Sequence, residues 1–345
     1  MGALLLLPLL LQAFGTHYVR TADTCLLYVM LALGMNVLVG YAGLLDLGFV
    51  AFYAIGAYLC ALLASPHLSD QFAAIAALFP EGLHTPFGLI AALAAGLAAV
   101  LGVLLGVPTL RLRGDYLAIV TLGFGEIVRI FINNLGQQPI NLTEGAKGLG
   151  QIDAIHFFGL DLSQHLRLGG HEIPPVTLHY YLFLALTAAA VIVCHRLQNS
   201  RIGRAWMAIR DDEVAARAMG IDTHRMKLLA FAVGAAFGGV AGALFATLQG
   251  FISPEAFSLQ ESVMIVAMVV FGGIGHLPGV ILGAVLLTAF PELLRYVVGP
   301  LQTMTDGRLD AGILRPLLVS LAMIITMLLR PHGLWPAPEH RKSLP

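Results

Sequence analysis

Apolar residues run along this chain in ten long stretches, near 3–17, 25–45, 47–65, 86–107, 116–135, 178–196, 227–250, 259–275, 278–298 and 310–329, separated by polar breaks. A bilayer core about 30 Å thick is crossed by about 20 residues of helix, because every backbone polar group must find its partner inside the segment. The pattern predicts an all-α, polytopic bundle of about ten transmembrane helices. The run Phe72 to Leu78 is too short to cross and predicts a re-entrant or interfacial piece.

Composition agrees with that reading. Of 345 residues 58% are apolar and 11% are charged, against about 25% charged in a soluble domain. A net charge of −1 leaves no basic field for a nucleic-acid partner. Cys25, Cys60 and Cys194 are odd in number, far apart and inside apolar runs, so they read as small fillers rather than a disulfide or metal set. The twelve His have no zinc-ligand spacing, and there is no H-E-x-x-H. The run from Ala3 to Phe14 lacks a basic start and a small-residue cleavage site, so it reads as a short first span rather than a secretory signal.

The few cations set the orientation. Ten spans put both termini on one side, with Arg111, Arg113, Arg196, Arg201, Arg204, Arg210, Arg217, Arg225, Lys227, Arg330, Arg341 and Lys342. The other side holds only Arg20, Lys147, Arg167 and Arg308, and the positive-inside rule then makes the first side cytoplasmic. Within a single transmembrane domain, 136–177 becomes an external loop, 197–226 a cytoplasmic loop and 330–345 a cytoplasmic tail. Small residues four apart, Gly234, Gly238 and Gly242, and Gly102 and Gly106, mark close helix packing.

The segment Asn199 to Lys227 is polar and helix-prone, unlike its surroundings. Asp211 or Asp212 suits the N-cap of a short amphipathic helix that ends at Gly220. Two readings stand: a solvated loop that obeys the positive-inside rule, or a helix that docks a cytoplasmic partner. In the second, Val214, Ala218 and Ile221 form an apolar face, with Arg210, Asp211, Arg217 and Asp222 available for polar contacts.

Gly203-Arg204-Ala205-Trp206 through Gly220 resembles the permease subunits of branched-chain amino acid importers of the ATP-binding cassette superfamily, specifically the larger of their two permease types. Their coupling loop typically reads E-A-A-x-x-x-G. Here Ala215, Ala216, Arg217 and Gly220 fall in that register, with Val214 at the usual glutamate position and Glu213 one residue earlier. The resemblance extends to Gly40-Tyr41-Ala42-Gly43-Leu44-Leu45-Asp46-Leu47-Gly48, to Arg111 through Arg129, to Gln249-Gly250-Phe251-Ile252-Ser253-Pro254-Glu255, and to Phe271-Gly272-Gly273-Ile274-Gly275. It implies a bacterial inner-membrane heteromer embedded in lipid, made with a homologous second permease, two cytoplasmic ATPase subunits and an external solute-binding protein. ATP and Mg would be bound by the ATPase partners and no cofactor by this chain. Arg204, Arg210, Asp211, Asp212, Glu213, Ala215, Ala216, Arg217 and Gly220 would then carry the coupling.

What the chain lacks fits that division of labour. No G-x-x-x-x-G-K-[ST] loop occurs, and Gly272-Gly273-Ile274-Gly275 lies between apolar spans without a preceding strand. Ionisable residues inside spans are functional candidates. Glu126, Arg129 and Asn133 share one face of the fifth span, where a buried structural ion pair is favoured over a pore-lining site. Asp46 is expected at an interfacial turn, and Glu261, Glu292 and Arg295 near helix ends, snorkelling. Tyr41, Phe49, Phe52, Tyr53 and Tyr58 suit either an apolar substrate in transit or a lipid-interface belt. Tyr41, Asp46, Phe52, Tyr53, Glu126, Arg129 and Asn133 are thus the pathway candidates.

The leading function is the translocation subunit of an ATP-driven importer of branched-chain or other apolar amino acids, working by population shift and not as an enzyme. The rivals are an ion-coupled secondary transporter, which commonly shows internal repeats and broken helices, and a permease of the same family for amides such as urea. A membrane-embedded enzyme would need converging acids, nucleophile or ligands, and only Glu126 lies near the middle of a span.

Overall fold

The computed structural model describes residues 6–8, 10–12, 15–79, 82–110, 112, 114–137, 141–153, 155–157, 160–161, 166–168, 171–304, 317, 320–321, 323–325, 327–330 and 333–335. The expectations for Arg111, Arg113, Arg308, Arg315, Arg341, Lys342, most of the 310–329 span and the end of the tail lie outside those residues, as do the side chains of Arg167 and Arg295.

In chain order the helices are α1 (Thr16–Met35), continued as a π-helix over Asn36–Tyr41, α2 (Val50–Leu63), α3 (His67–Gln71), α4 (Ala73–Leu78), α5 (Phe87–Thr109) and α6 (Asp115–Asn134). They are followed by α7 (Pro175–Gln198), α8 (Arg201–Asp211), α9 (Glu213–Ala218), α10 (Thr223–Gln249), α11 (Leu259–Gly272) and α12 (Leu277–Met304). Among the described residues five segments are long and apolar enough to cross a bilayer by length and composition: Thr16–Tyr41, Phe87–Thr109, Pro175–Gln198, Thr223–Gln249 and Leu277–Leu294. The chain is a multi-pass helical membrane protein.

Helix α10 is the hub, packed on α5, α2 and α1. Its small residues permit this, as their spacing predicts: a Cβ on Gly242 would collide with the Tyr53 carbonyl of α2, and one on Gly102 of α5 would press on Ala235 and the Phe231 carbonyl. Without a hydrophobic drive between helices in lipid, such contact surfaces supply the adhesion.

The structure corrects several expected boundaries. Helix α1 starts at Thr16, because Arg20 at its end reaches Gln249 Oε1 at 2.8 Å while Asp23 is wholly buried, so the polar stretch 18–24 is helix rather than loop. The expected 47–65 span becomes a non-helical 42–49 followed by α2. The 136–177 segment, expected as a loop in an all-α fold, contains a 3-10 turn at Gly145–Lys147, a bridge from Leu149 to Ile252, and two short antiparallel pairs, His156–Phe157 with Leu160–Asp161 and Leu166–Leu168 with His171–Ile173. Helix α4 is the short piece expected near 72–78.

Long-range contacts gather at two opposite ends of the bundle. At one end Asp153 N donates to the Ala64 carbonyl at 2.7 Å and its carboxylate meets His84 at 2.6 Å. At the other, Gly40, Arg210, Gly275 and Trp335 converge.

Candidate functional site

That second end is built around α8 and α9. Ser200 caps α8 by accepting from Gly203 N at 3.1 Å. The Asp212 carboxylate caps α9, accepting from Val214 N at 2.8 Å and Ala215 N at 3.0 Å. At the far end Gly220 takes φ +85°, and the Ile221 amide closes on the Ala216 carbonyl at 3.1 Å. The expected cap and stop are both present, but Asp212 divides the segment into two helices where one was expected. Trp206, fully buried, pins α8 to α10 through its Nε1, which donates to the Met226 carbonyl at 2.6 Å.

The outward face of α9 is apolar and bare. Val214 is 73% and Met219 83% exposed, with Ala215 and Ala218 exposed beside them and Arg217, Asp222 and Arg225 around the rim. Ala216 faces inward and is buried. Glu213 is held within the chain: its two oxygens take Arg217 Nη2 at 3.1 Å and Lys227 Nζ at 2.7 Å, so it fastens α9 to the start of α10. Arg204 is exposed and donates to the Asn199 carbonyl at 2.9 Å.

Arg210, expected among the outward polar contacts, points into the bundle. The π-helical turn explains its target. Leu44 N, the usual partner of the Gly40 carbonyl, bonds instead to Leu38 O at 2.9 Å, and Arg210 Nη1 donates to the Gly40 carbonyl at 2.6 Å. Four residues earlier, Asn36 Oδ1 accepts from Gly275 N at 3.0 Å. Gly275 has φ +78°, and a side chain there would run into both Arg210 and Gly40. The same turn receives the distal chain: Leu334 N donates to Phe271 O at 2.9 Å and Trp335 N to Gly272 O at 3.1 Å. One guanidinium and one carboxamide thus join the exposed helix pair, the end of α1 and the α11–α12 turn.

Residues 18–329 match the family described as the permease component of the branched-chain amino acid transport system. The chain belongs to this family. Its relatives include the high-affinity branched-chain amino acid permease LivM of Escherichia coli K12, 41% identical over 330 residues that cover 92% of this chain and 70% of LivM. A probable branched-chain permease LivM of Methanocaldococcus jannaschii is 26% identical over 337 residues, 90% of each chain. The companion permease LivH of E. coli K12 is 27% identical over 265 residues, 75% of this chain and 79% of LivH. No solved structure matches the chain. As a member of a permease family, the chain is a transporter subunit and not an enzyme.

The permease places the expected pathway residues in two groups. Tyr41, Asp46, Phe52 and Tyr53 are buried within the subunit, so the aromatic run is not a lipid-facing belt. Asp46 lies in the expected turn, between α1 and α2, and has no exposed surface: its Oδ1 accepts from Gly48 N at 2.8 Å, while Thr121 of α6 accepts from Leu47 N at 3.0 Å. Glu126, Arg129 and Asn133 do share a face of α6. Arg129 Nε and Nη2 both meet Glu126 Oε2 at 2.9 Å, forming the expected ion pair, with the Glu126 and Arg129 side chains 34% and 37% exposed on this chain by itself.

Sequence reasoning missed the two interrupted helices of the permease. Helices α2 and α11 have 14 residues each, about 21 Å at about 1.5 Å per residue, short of a bilayer core. Each follows irregular backbone, and they meet where Val50 N donates to Ser262 Oγ at 3.1 Å. Non-helical backbone at membrane depth is tolerated only where protein or a cavity surrounds it. Glu261, next to Ser262, accepts from Tyr28 Oη at 2.9 Å instead of snorkelling to an end. The available signal was Asn36, a polar residue within an otherwise apolar run, and the polar cluster Gln260-Glu261-Ser262 at the start of one. Among the described residues no group of three or more His, Cys, Asp or Glu is placed to hold a metal.

Proposed function

We propose that this chain is one of two transmembrane subunits of an ATP-driven importer of branched-chain or other apolar amino acids. A second permease of the LivH kind completes the channel, two cytoplasmic ATPases bind ATP and Mg, and an external binding protein delivers the substrate. It resides in the bacterial inner membrane with about ten spans, and both termini and the 197–226 loop lie in the cytoplasm. The cation distribution supports this orientation, as does the convergence of Gly40, Arg210, Gly275 and Trp335 at one end of the bundle.

The observation that carries the reading is the capped pair α8–α9, whose bare apolar face looks outward while Arg210 reaches in to the end of α1. The outward face offers the ATPase an anchor rimmed with charge. Arg210 and Asn36 link its motion to α1 and to the α11–α12 turn. Interrupted helices also occur in ion-coupled carriers, so they indicate where the substrate passes rather than what drives it. The substrate assignment rests on the family and on the names of LivM and LivH.

Co-expression with a LivH-type permease, two ATPases and a binding protein, followed by reconstitution, tests the whole reading. Uptake of leucine should require ATP and the binding protein. Gradient-driven uptake by this chain alone would overturn it.

A further inference from the structure

One groove lies away from the coupling end. It lies beside the meeting point of the interrupted helices, between α1, α11, α12 and the distal residues Ser320, Met323, Ile324 and Met327, and has a volume of about 530 Å³. Its walls are apolar, with Met264, Met323 and Met327 among them. Its polar groups are few: the Tyr28–Glu261 pair, the Gln260 amide and the Ser320 hydroxyl. Tyr28 stands near the middle of the 26-residue span Thr16–Tyr41, which puts this carboxylate at depth.

A carboxylate facing an apolar groove in a membrane is costly unless a counter-charge visits it. Among the described residues, the side-chain partner of the Glu261 carboxylate is a neutral phenol, Tyr28, donating to one oxygen, Oε2. Neither an acyl chain of lipid nor an aliphatic helix face from another subunit satisfies such a group. An ammonium does. Gln260 and Ser320 offer N–H and O–H donors at the same groove, and α11 begins there with no side-chain bond at its N-cap, Ser258, so its first amides add positive dipole. Methionine walls adapt to branched aliphatic shapes of differing outline.

We propose that this groove is the transit site for the aliphatic α-amino acid. The substrate ammonium sits on Glu261 beside Tyr28, its carboxylate faces Gln260 and Ser320, and its side chain lies on the methionines. The groove is open on one side, as half of a channel must be. The proposal rests on the transporter reading above and adds the place and chemistry of substrate contact.

The test uses the assembled heteromer in proteoliposomes, with leucine uptake and binding-protein-stimulated ATPase measured together. In Glu261→Gln, uptake should fall about tenfold or more, the scale of losing one charge-assisted hydrogen bond. Tyr28→Phe should give a smaller loss in the same direction. Wild-type uptake in Glu261→Gln would overturn the proposal, whereas no leucine uptake by the wild-type complex would refute the parent reading instead. Should Glu261→Gln fail to assemble, Val263→Cys decides. Val263 lines the groove and is 49% exposed, and the variant is made with Cys25→Ser and labelled by a small polar thiol reagent. Leucine should slow labelling and its 2-oxo-acid analogue, lacking the ammonium, should not. Equal protection by both, or by neither, would sink the assignment and leave lipid or the second permease as the occupant.

Discussion

Arg210 Nη1 donates to the Gly40 carbonyl at 2.6 Å across 170 positions of sequence. This contact makes the exposed helix pair and the end of α1 one mechanical unit. A side chain without a donor could not replace it, since Leu44 N is bonded to Leu38 O instead and a buried carbonyl left without a donor is penalised.

Arg210→Ala should therefore separate the two activities of the complex. ATPase subunits are expected to co-purify as before, because the outward face of α9 is untouched. Leucine uptake should fall about tenfold or more, the scale of a charge-assisted hydrogen bond of about 1.5–3 kcal/mol. Arg210→Lys should recover part of it. Normal uptake in Arg210→Ala would remove this contact from the transmission route.

Docking should fail for a different reason in Val214→Asp or Met219→Asp. Each places a charge on the bare apolar face, where burial against a partner leaves it unpaired. Retention of the ATPase on the permease, read by quantitative co-purification, should drop about tenfold. Arg225→Ala, at the 82% exposed rim, should change it less than about twofold.

The Glu126–Arg129 pair lies on a partly exposed face of α6, where either charge alone is unfavourable against lipid or another helix. Each single alanine variant should lower recovery of the permease–permease complex, and the double variant should regain much of it. A coupling of about 0.5–3 kcal/mol in a double-mutant cycle is expected. Strictly additive losses would argue for separate roles.

Packing at the hub is directional. Gly242→Leu should lower the melting temperature of the detergent-solubilised protein by forcing α10 away from α2, an overpacking penalty of about 1–3 kcal/mol. Gly88→Leu, with open space around it, should leave the melting temperature unchanged. Equal effects at both positions would contradict the packing.

Much of this was readable without coordinates. Apolar run lengths dictated helices, because backbone in lipid has no other way to satisfy its donors and acceptors. The small-residue spacing in Gly234, Gly238 and Gly242 marked the hub, and Asp212 and Gly220 marked the ends of the docking helix, since capping is decided within four residues of chain. These are local or periodic properties.

Tertiary structure alone decided the rest. Whether a helix runs through or breaks depends on which neighbour accepts its free amides, and Thr121 and Ser262, far off in sequence, do so for Leu47 and Val50. That the Asp46 carboxylate would be wholly buried and that Glu261 would meet Tyr28 of α1 depends on how the helices pack, which sequence distance from a span end does not show. Arg210 looked like one more cytoplasmic cation. Its role follows from a carbonyl that only the π-helical turn sets free, and no pattern of residues along the chain encodes that encounter.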